Sequence, residues 1–131
     1  MQTIQSNERR RRRSADPLVA LHYQLTHARS EAAFDTIVIA DRAGVVVAGA
    51  GSWAACEELA AYAPLLESGS FGESERMAEL RERVTMRSVD IGGDSVLLCA
   101  IASRAPVNEA APKVDVLGRA AAGISRILVS H

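Results

Sequence analysis

Two short β-rich runs joined by a tight turn constrain the fold of this 131-residue sequence more than any other feature. The runs are Thr36–Ala40 and Val45–Ala48. Between them, Asp41-Arg42-Ala43-Gly44 has the residue types of a reverse turn, so the three segments together predict a β-hairpin. An isolated hairpin is marginally stable at best in water. The rest of the chain must therefore supply strands or helices that cover it.

A second pair of runs predicts a second hairpin. Val84–Ile91 and Val96–Ala102 are rich in apolar residues and are separated by Gly92-Gly93-Asp94-Ser95, a glycine-rich turn. The run from Val96 onward is apolar at successive positions and not only at alternate ones. A strand of this kind is buried on both faces, so we expect it at the centre of the sheet.

The first of three predicted helices precedes the hairpins. Ser14 or Asp16 is a suitable N-cap, and Pro17 stands in the first turn, where the missing N–H of proline does no harm. Apolar side chains then recur at three- and four-residue steps, which predicts a helix with one buried face. That face comprises Leu18, Leu21, His22, Leu25, Ala28 and Ala32.

The other two helices are also one-sided. Ser52 is a suitable N-cap for a helix that we expect to end near Pro64, and a final helix covers the last part of the chain. One face of the helix after Ser52 is shared by Trp53, Cys56, Leu59, Ala60 and Ala63. The apolar face of the last helix consists of Val114, Leu117, Ala121, Ile124, Ile127 and Leu128.

The predicted order is therefore α-β-β-α-β-β-α. Residues 75–83, which contain only two apolar side chains apart from alanine, form either a short surface helix or a mobile connection. Helices packed on an antiparallel sheet of four to five strands make an α+β domain. The content of 48% apolar and 24% charged residues is ordinary for a globular protein, and we expect a single domain over residues 14–131.

Residues 1–13 form a basic tail that we predict to be disordered. They contain Glu8 and the run Arg9, Arg10, Arg11, Arg12 and Arg13, a net charge of +4, which leaves −5 for the rest of a chain whose total is −1. The tail is either a solvated terminus or a binding segment for an acidic protein, an anionic lipid surface or nucleic acid phosphates. Nucleic acid is disfavoured because no aromatic residues are interleaved with the arginines.

Cellular location is suggested by what the sequence lacks. No apolar stretch approaches the roughly 18 residues that a membrane span needs, and the N-terminus has no signal-peptide pattern. We therefore expect a cytoplasmic protein. Lys113 is the only lysine among 15 basic residues, a bias that favours a GC-rich and bacterial genome.

No set of residues predicts a catalytic, cofactor or metal site. Cys56 follows a predicted helix cap, where its pKa would be lowered, but it also fits the core face of that helix. Cys99 lies in the most apolar strand and is expected in the core. His22 and His27 are five residues apart, which is not the three- or four-residue spacing of a helical metal site. We expect both thiols to be reduced and the protein not to be an enzyme.

Three features at the second helix remain open to two interpretations each. Gly49-Ala50-Gly51-Ser52 is either a plain strand-to-helix turn or an anion-binding loop that lacks the rest of a phosphate-binding motif. Trp53 either fills the layer between helix and sheet or is an exposed anchor for a partner. The glutamates after Ser52 form either a solvated face or a site for an arginine-rich partner.

The segment Phe34–Gly49 resembles the strand, Asp-x-x-Gly turn and second strand of the Roadblock family, the dynein-light-chain-like domains. The resemblance extends in order over residues 16–129, through the helix after Ser52, the hairpin at Gly92-Gly93 and the terminal helix. It implies a profilin-like layered fold. The loop from Ser68 to Glu75 and the polyarginine tail depart from the family pattern.

The resemblance also implies a dimer, formed with a second copy or with a paralogous subunit, in which sheets join edge to edge and helices pack side by side. Such dimers are scaffolds and regulators of Ras-like small GTPases or of motor and signalling complexes, and they bring no catalytic residues of their own. The stretch 118–123, rich in alanine and glycine, permits close approach of a second helix. We therefore expect the terminal helix to supply the dimer contacts Leu117, Ala121, Ile124 and Leu128.

The alternative function is a small-molecule sensor with a GAF-like or PAS-like sheet, since those domains also carry an Asp-x-x-Gly turn between apolar strands. A sensor of this kind needs a ligand pocket between the sheet and the helices.

Overall fold

The structure is a computed structural model that describes residues 17–69, 74–91, 93–103 and 112–129. The predicted basic tail, including Arg9–Arg13, lies outside these residues. The described elements follow the predicted order, with a short helix before the second hairpin. They are α1 (Pro17–Glu31), β1 (Phe34–Ala40), β2 (Val46–Ala50), α2 (Trp53–Ser68), α3 (Glu75–Arg83), β3 (Val84–Ile91), β4 (Asp94–Ala102) and α4 (Lys113–Val129).

The described strands form one antiparallel sheet with the order β2-β1-β4-β3. β4 pairs with β1 on one side and with β3 on the other, so the strand expected at the centre of the sheet is central. β2 and β3 are the two edges. This confirms the predicted α+β class and its antiparallel sheet.

Alternating side chains of β1 and β4 bury the two faces of this sheet against different helices. Ile37, Ile39 and Leu98 face α1 and α4, whereas Val38 and Leu97 face α2 and α3. The side chains of a strand point to opposite faces in turn, so one apolar run serves both layers. The result is an α/β/α arrangement with a separate apolar layer on each side of the sheet.

The turn between β1 and β2 is held by Asp41. Its Oδ1 accepts hydrogen bonds from the N–H groups of Ala43 and Val45, both at 2.9 Å. Gly44 has a φ of +85°, in the left-handed region that favours glycine. The predicted turn is therefore confirmed. Asp41 holds it through side-chain hydrogen bonds, and Gly44 supplies the left-handed backbone conformation.

Helix α2 begins and ends with recognisable caps. Ser52 Oγ accepts a hydrogen bond from the N–H of Ala55 at 3.1 Å, and Gly69 ends the helix with a φ of +74°. Pro64 lies inside the helix, which continues four residues beyond it, so the expected end near Pro64 is wrong. Proline removes one backbone hydrogen bond of the helix, and Ala60 and Ala63 nearby are buried in the apolar cluster on this side of the sheet.

Helix α1 buries Leu21, Leu25 and Ala28. Leu18 and His22 were expected on the same face but are exposed. Leu18 lies in the first turn, ahead of the first buried residue of the helix, so neither the sheet nor α4 covers it. Helix α3 is the short helix that was one of two expectations for residues 75–83, and it buries Met77 and Leu80.

Gly49 generates a stability prediction. A Cβ at this position would lie 2.7 Å from Cys56 Sγ and 3.4 Å from the carbonyl oxygen of Ile37. We expect Gly49→Ala to lower the free energy of unfolding by ~1–3 kcal/mol through overpacking. Removing the sulfur in Gly49→Ala/Cys56→Ala should recover part of this loss, giving a favourable coupling of at least ~0.5 kcal/mol in a denaturant-based double-mutant cycle. Strictly additive effects would contradict this packing.

Candidate interaction surfaces

The two cysteines are buried on the α2 side of the sheet. Cys56 Sγ lies 3.8 Å from the carbonyl oxygen of Ala50, and Cys99 is in the central strand. Burial raises the pKa of Cys56, and burial raises the pKa of Cys99 to about 12. Both thiols therefore stay protonated at neutral pH, which favours the core interpretation of Cys56 over a reactive one.

The residues of the strand-to-helix segment 49–52 already make contacts within this chain. Gly49 makes room for Cys56, and Gly51 has a φ of +117° with the carbonyl oxygen of Asp35 3.0 Å from where its Cβ would be. Ser52 already satisfies a backbone N–H of the first turn of α2. These contacts explain both glycines and the serine as parts of a plain turn, without an anion.

The expected dimer contacts of the terminal helix lie inside this chain. Leu117, Ala121 and Ile124 are buried among side chains of α1 and the sheet, and Leu128 packs partly against the same cluster. The apolar face of α4 is used internally because it covers β3 and lies beside α1. A partner that approached α4 would meet its exposed residues, such as Arg119 and Ala122, instead of the buried Leu117, Ala121 and Ile124.

Helix α2 presents an outer face that the sequence analysis missed. Trp53 is 63% exposed and Leu65 is 43% exposed, on a helix whose buried residues are Cys56, Leu59, Ala60 and Ala63. We call this stripe the α2 outer face. Its members recur mostly at four-residue steps, and they are Trp53, Ala54, Glu57, Ala61 and Leu65.

The composition of the α2 outer face is suited to a partner. Ala54 and Ala61 are small enough to let another backbone come close, and the two large apolar side chains stand on either side of Ala61. Trp53 is therefore exposed and does not fill the layer between helix and sheet, and its role as an anchor for a partner stays a prediction. A helix that carries apolar residues on its outer side as well as its inner side is the signal from which the stripe could have been found.

Both sheet edges carry strands without a further neighbour among the described residues. β2 and β3 each use one side for pairing, and neither contains proline. The N–H and C=O groups on the outer side of such strands are a template for another strand. The sheet can therefore be extended at either edge.

Arginines of the same chain occupy much of the acidic surface. Glu67 on α2 pairs with Arg42, which also donates a hydrogen bond from Nη2 to Ser95 Oγ at 2.7 Å. Arg76 on α3 pairs with Glu58 and, at 3.2 Å, with Glu79. Glu57, by contrast, is exposed on the α2 outer face. Arginine pairs thus partly neutralise the acidic surface at Glu58, Glu67 and Glu79, while Glu57 remains an exposed carboxylate on α2.

A groove of about 350 Å³ opens on the outer side of the helix layer, between α1 and α4. Glu31 bridges its two walls by pairing with Arg119, and the hydrogen bond from Arg119 lowers the pKa of that carboxyl. The groove does not reach the space between helices and sheet, where a GAF-like or PAS-like sensor would hold its ligand. Its lining residues are Gln24, His27, Ala28, Glu31, Val116, Arg119, Ala120, Ala122 and Arg126.

The space between sheet and helices is filled by the two apolar clusters. In the described ranges, every buried side-chain nitrogen or oxygen has a hydrogen-bond partner, so none is available to orient a polar ligand there. Within the same ranges, no three His, Cys, Asp or Glu side chains come together as a metal site. None of the helices described is long and apolar enough to cross a membrane.

Thiol reactivity tests the placement of the cysteines. We expect both thiols to react with Ellman's reagent at least about a hundredfold more slowly in the folded protein than in denaturant, because both are buried and protonated. The Cys56→Ala and Cys99→Ala variants assign each phase of the reaction. A native thiol that reacts at the denatured rate would restore the nucleophile interpretation of that residue.

Comparison with known proteins places the fold among solved structures of MglB. The gliding protein MglB of Thermus thermophilus is 20% identical over 88% of this chain and 93% of that chain, with a TM-score of 0.56. A structure described as MglB with a tetrameric arrangement is 19% identical over 86% and 90%, with a TM-score of 0.54. Myxococcus xanthus MglB is 13% identical over 86% and 90%, with a TM-score of 0.52.

At these identities the similarity shows a shared fold and assigns no residue a role. No known protein-family model matches the sequence, and no curated protein matches it. The part of the predicted resemblance that the comparisons support is the layered α+β fold.

Proposed function

We propose that this chain is a non-enzymatic, Roadblock-like domain that dimerises in a bacterial cytoplasm and regulates a small Ras-like GTPase. The α2 outer face carries the proposal, because it leaves Trp53 and Leu65 exposed on a helix whose other side is already packed. The fold similarity to the MglB structures and the sequence resemblance to the Roadblock family support the class of function.

The geometry of the α2 outer face favours an antiparallel pair of α2 helices. Trp53 and Leu65 are 12 residues apart, about 18 Å along a helix. A two-fold axis midway between them would set Trp53 of one copy against Leu65 of the other and Glu57 against Ala61. Each large apolar side chain then meets another one, and the alanine provides the room that close helix packing needs.

The open sheet edges support the same assembly. A second copy related by a two-fold axis would present the same edge strand in antiparallel orientation, which is the pairing already used throughout this sheet. Edge pairing would satisfy backbone groups left open at β2 or β3, while the helix contact would bury the α2 outer face. Neither contact disturbs the two internal apolar layers.

The proposed action on a GTPase needs no catalytic residue from this chain. A paired platform would bind the GTPase and hold that protein's own catalytic groups in their active arrangement, in keeping with the proposed Roadblock-like character. The buried, protonated thiols of Cys56 and Cys99 are consistent with such a role. Regulation would then depend on the assembled dimer and not on one side chain.

The dimer is tested by Ala61→Arg. We expect the unchanged full chain to have a mass near twice its 14.0 kDa in light scattering coupled to gel filtration, and the variant to have the mass of one chain. The long charged side chain would separate the helices at their closest approach. Ala122→Arg, also an exposed alanine on a helix, is the matched control and should remain dimeric. A monomeric unchanged chain, or a dimeric Ala61→Arg, contradicts the proposal.

The regulatory role is tested with a small Ras-like GTPase from the same organism. We expect the full chain to accelerate single-turnover GTP hydrolysis by about tenfold or more, a barrier change of ~1.4 kcal/mol. Ala61→Arg should lose most of the acceleration while its far-UV circular dichroism is unchanged, and Ala122→Arg should keep it. Equal acceleration by Ala61→Arg would show that any effect on the GTPase does not need the dimer.

A further inference from the structure

The turn between β1 and β2 approaches helix α2 at two points. A Cβ at Gly44 would lie 3.4 Å from the Cα of Ala61, so the turn comes close to the backbone of the helix at the middle of the α2 outer face. Arg42, two residues earlier in the turn, pairs through Nη1 with Glu67 in the last turn of the helix. Leu65 therefore lies along α2 between the two points.

The same arginine is also attached to the sheet. Its Nη2 donates a hydrogen bond to Ser95 Oγ at 2.7 Å, and its Nε donates one to the same oxygen at 3.1 Å. Nη2 also lies 3.2 Å from Ser88 Oγ, which accepts from it. Ser95 belongs to the central strand β4 and Ser88 to the edge strand β3. One planar guanidinium thus joins the C-terminal end of α2 to two strands.

The last turn of α2 has an electrostatic need for this arginine. The carbonyl groups at the C-terminus of a helix carry partial negative charge, which cations near the last turn stabilise. The last turn of α2 contains Glu67 and no basic residue of its own. The β1–β2 turn brings Arg42 to this end of the helix, where its charge offsets both the carboxylate and the carbonyl groups.

The ion pair alone is a weak source of stability. The side chains of Arg42 and Glu67 are 43% and 37% exposed, and exposed pairs contribute little because water and salt screen them. The contacts to both serines give the pair a fixed direction, since the guanidinium donates in a rigid fork. The arrangement is therefore better suited to holding α2 in one position than to stabilising the fold.

We infer that Arg42 is a positioning residue for the α2 outer face. It holds the C-terminal half of α2 at one place on the sheet, so that Leu65 of each copy meets Trp53 of the other. Two-fold symmetry makes a displaced Leu65 count twice, once in each copy. The inference rests on the dimer proposed above and deepens it. Arg42 acts here through Glu67 and the helix and is not itself a contact of the second copy.

The test is the dissociation constant of the dimer, measured on the full chain by light scattering over a dilution series. We expect Arg42→Gln to raise the constant about fivefold. Ser95→Ala should raise it about threefold, although Ser95 lies on the sheet, because it removes the oxygen that accepts two hydrogen bonds from Arg42. Adding Ser95→Ala to Arg42→Gln should change the constant by less than about twofold, since both act through one network.

Arg119→Gln is the matched control. Arg119 also forms an exposed pair that bridges two elements, with Glu31, but on the opposite face of the sheet. We expect it to change the dissociation constant by less than about twofold. Circular dichroism checks that every variant is folded. The inference is overturned if Ser95→Ala has no effect on the constant, or if Arg119→Gln raises it as much as Arg42→Gln does.

The fluorescence of Trp53 separates positioning from stabilisation, because it is the only tryptophan of the sequence. Its emission should move to shorter wavelength as the unchanged chain dimerises and Leu65 of the second copy covers the ring. In fully dimeric Arg42→Gln the emission should stay at longer wavelength than in the unchanged dimer, because Leu65 is no longer held opposite the ring. An identical end point in both dimers would overturn the positioning role.

The outcomes for the dimer and for Arg42 are distinguishable. An unchanged chain that stays monomeric at every concentration overturns the proposed dimer and, with it, this inference. An unchanged chain that dimerises, with Arg42→Gln equal to it in both dissociation constant and Trp53 emission, overturns the role of Arg42 alone.

Discussion

Strand β4 is buried on both faces, and this requirement organises the molecule. Its even-numbered and odd-numbered side chains enter different apolar layers, so the sheet must be covered on both sides. Helices α1 and α4 meet one face, and α2 with α3 meets the other. Each helix therefore has one side packed on the sheet. Within the described ranges, the outer sides of the helices and the two sheet edges remain for contacts with a partner.

The two outer helix layers differ in charge and in shape. The α2 outer face combines Trp53 and Leu65 with Ala54 and Ala61, which suits another helix, and it includes the exposed carboxylate of Glu57. The α1–α4 side is free of acidic residues apart from the paired Glu31 and one position near the start of α4. A second copy that bound the α2 outer face would leave the α1–α4 layer accessible.

The hairpins, the caps and the element order were predictable because their signals are local. Asp41 and Gly44 specify a turn through their own side chain and backbone, and Ser52 caps the helix that follows it. The burial of side chains at the ends of helices was less predictable. Periodicity placed Leu18 on a buried face and left two interpretations of Trp53 open, and both side chains are exposed in the first turn of a helix.

The candidate site was predicted only in part, because the sequence does not show which way each face of a helix points. Leu117 and Ile124 have the spacing of an interface, and nothing local distinguishes a helix face that meets its own sheet from one that meets a partner. For α2 the tertiary structure makes this distinction. Cys56, Leu59 and Ala63 are buried in the chain's own core, and the α2 outer face remains exposed. That distinction depends on tertiary packing.

The central claim is that two copies meet through α2. It is tested most directly by spin-label distances in the full chain, with a label at Glu57→Cys or, as the control, at Ala122→Cys; the native thiols are buried and should not be labelled. The account predicts a distance below about 20 Å at position 57, as expected for helix axes about 8–10 Å apart, and a much longer distance at position 122. A short distance at 122 together with a long or absent one at 57 would contradict it.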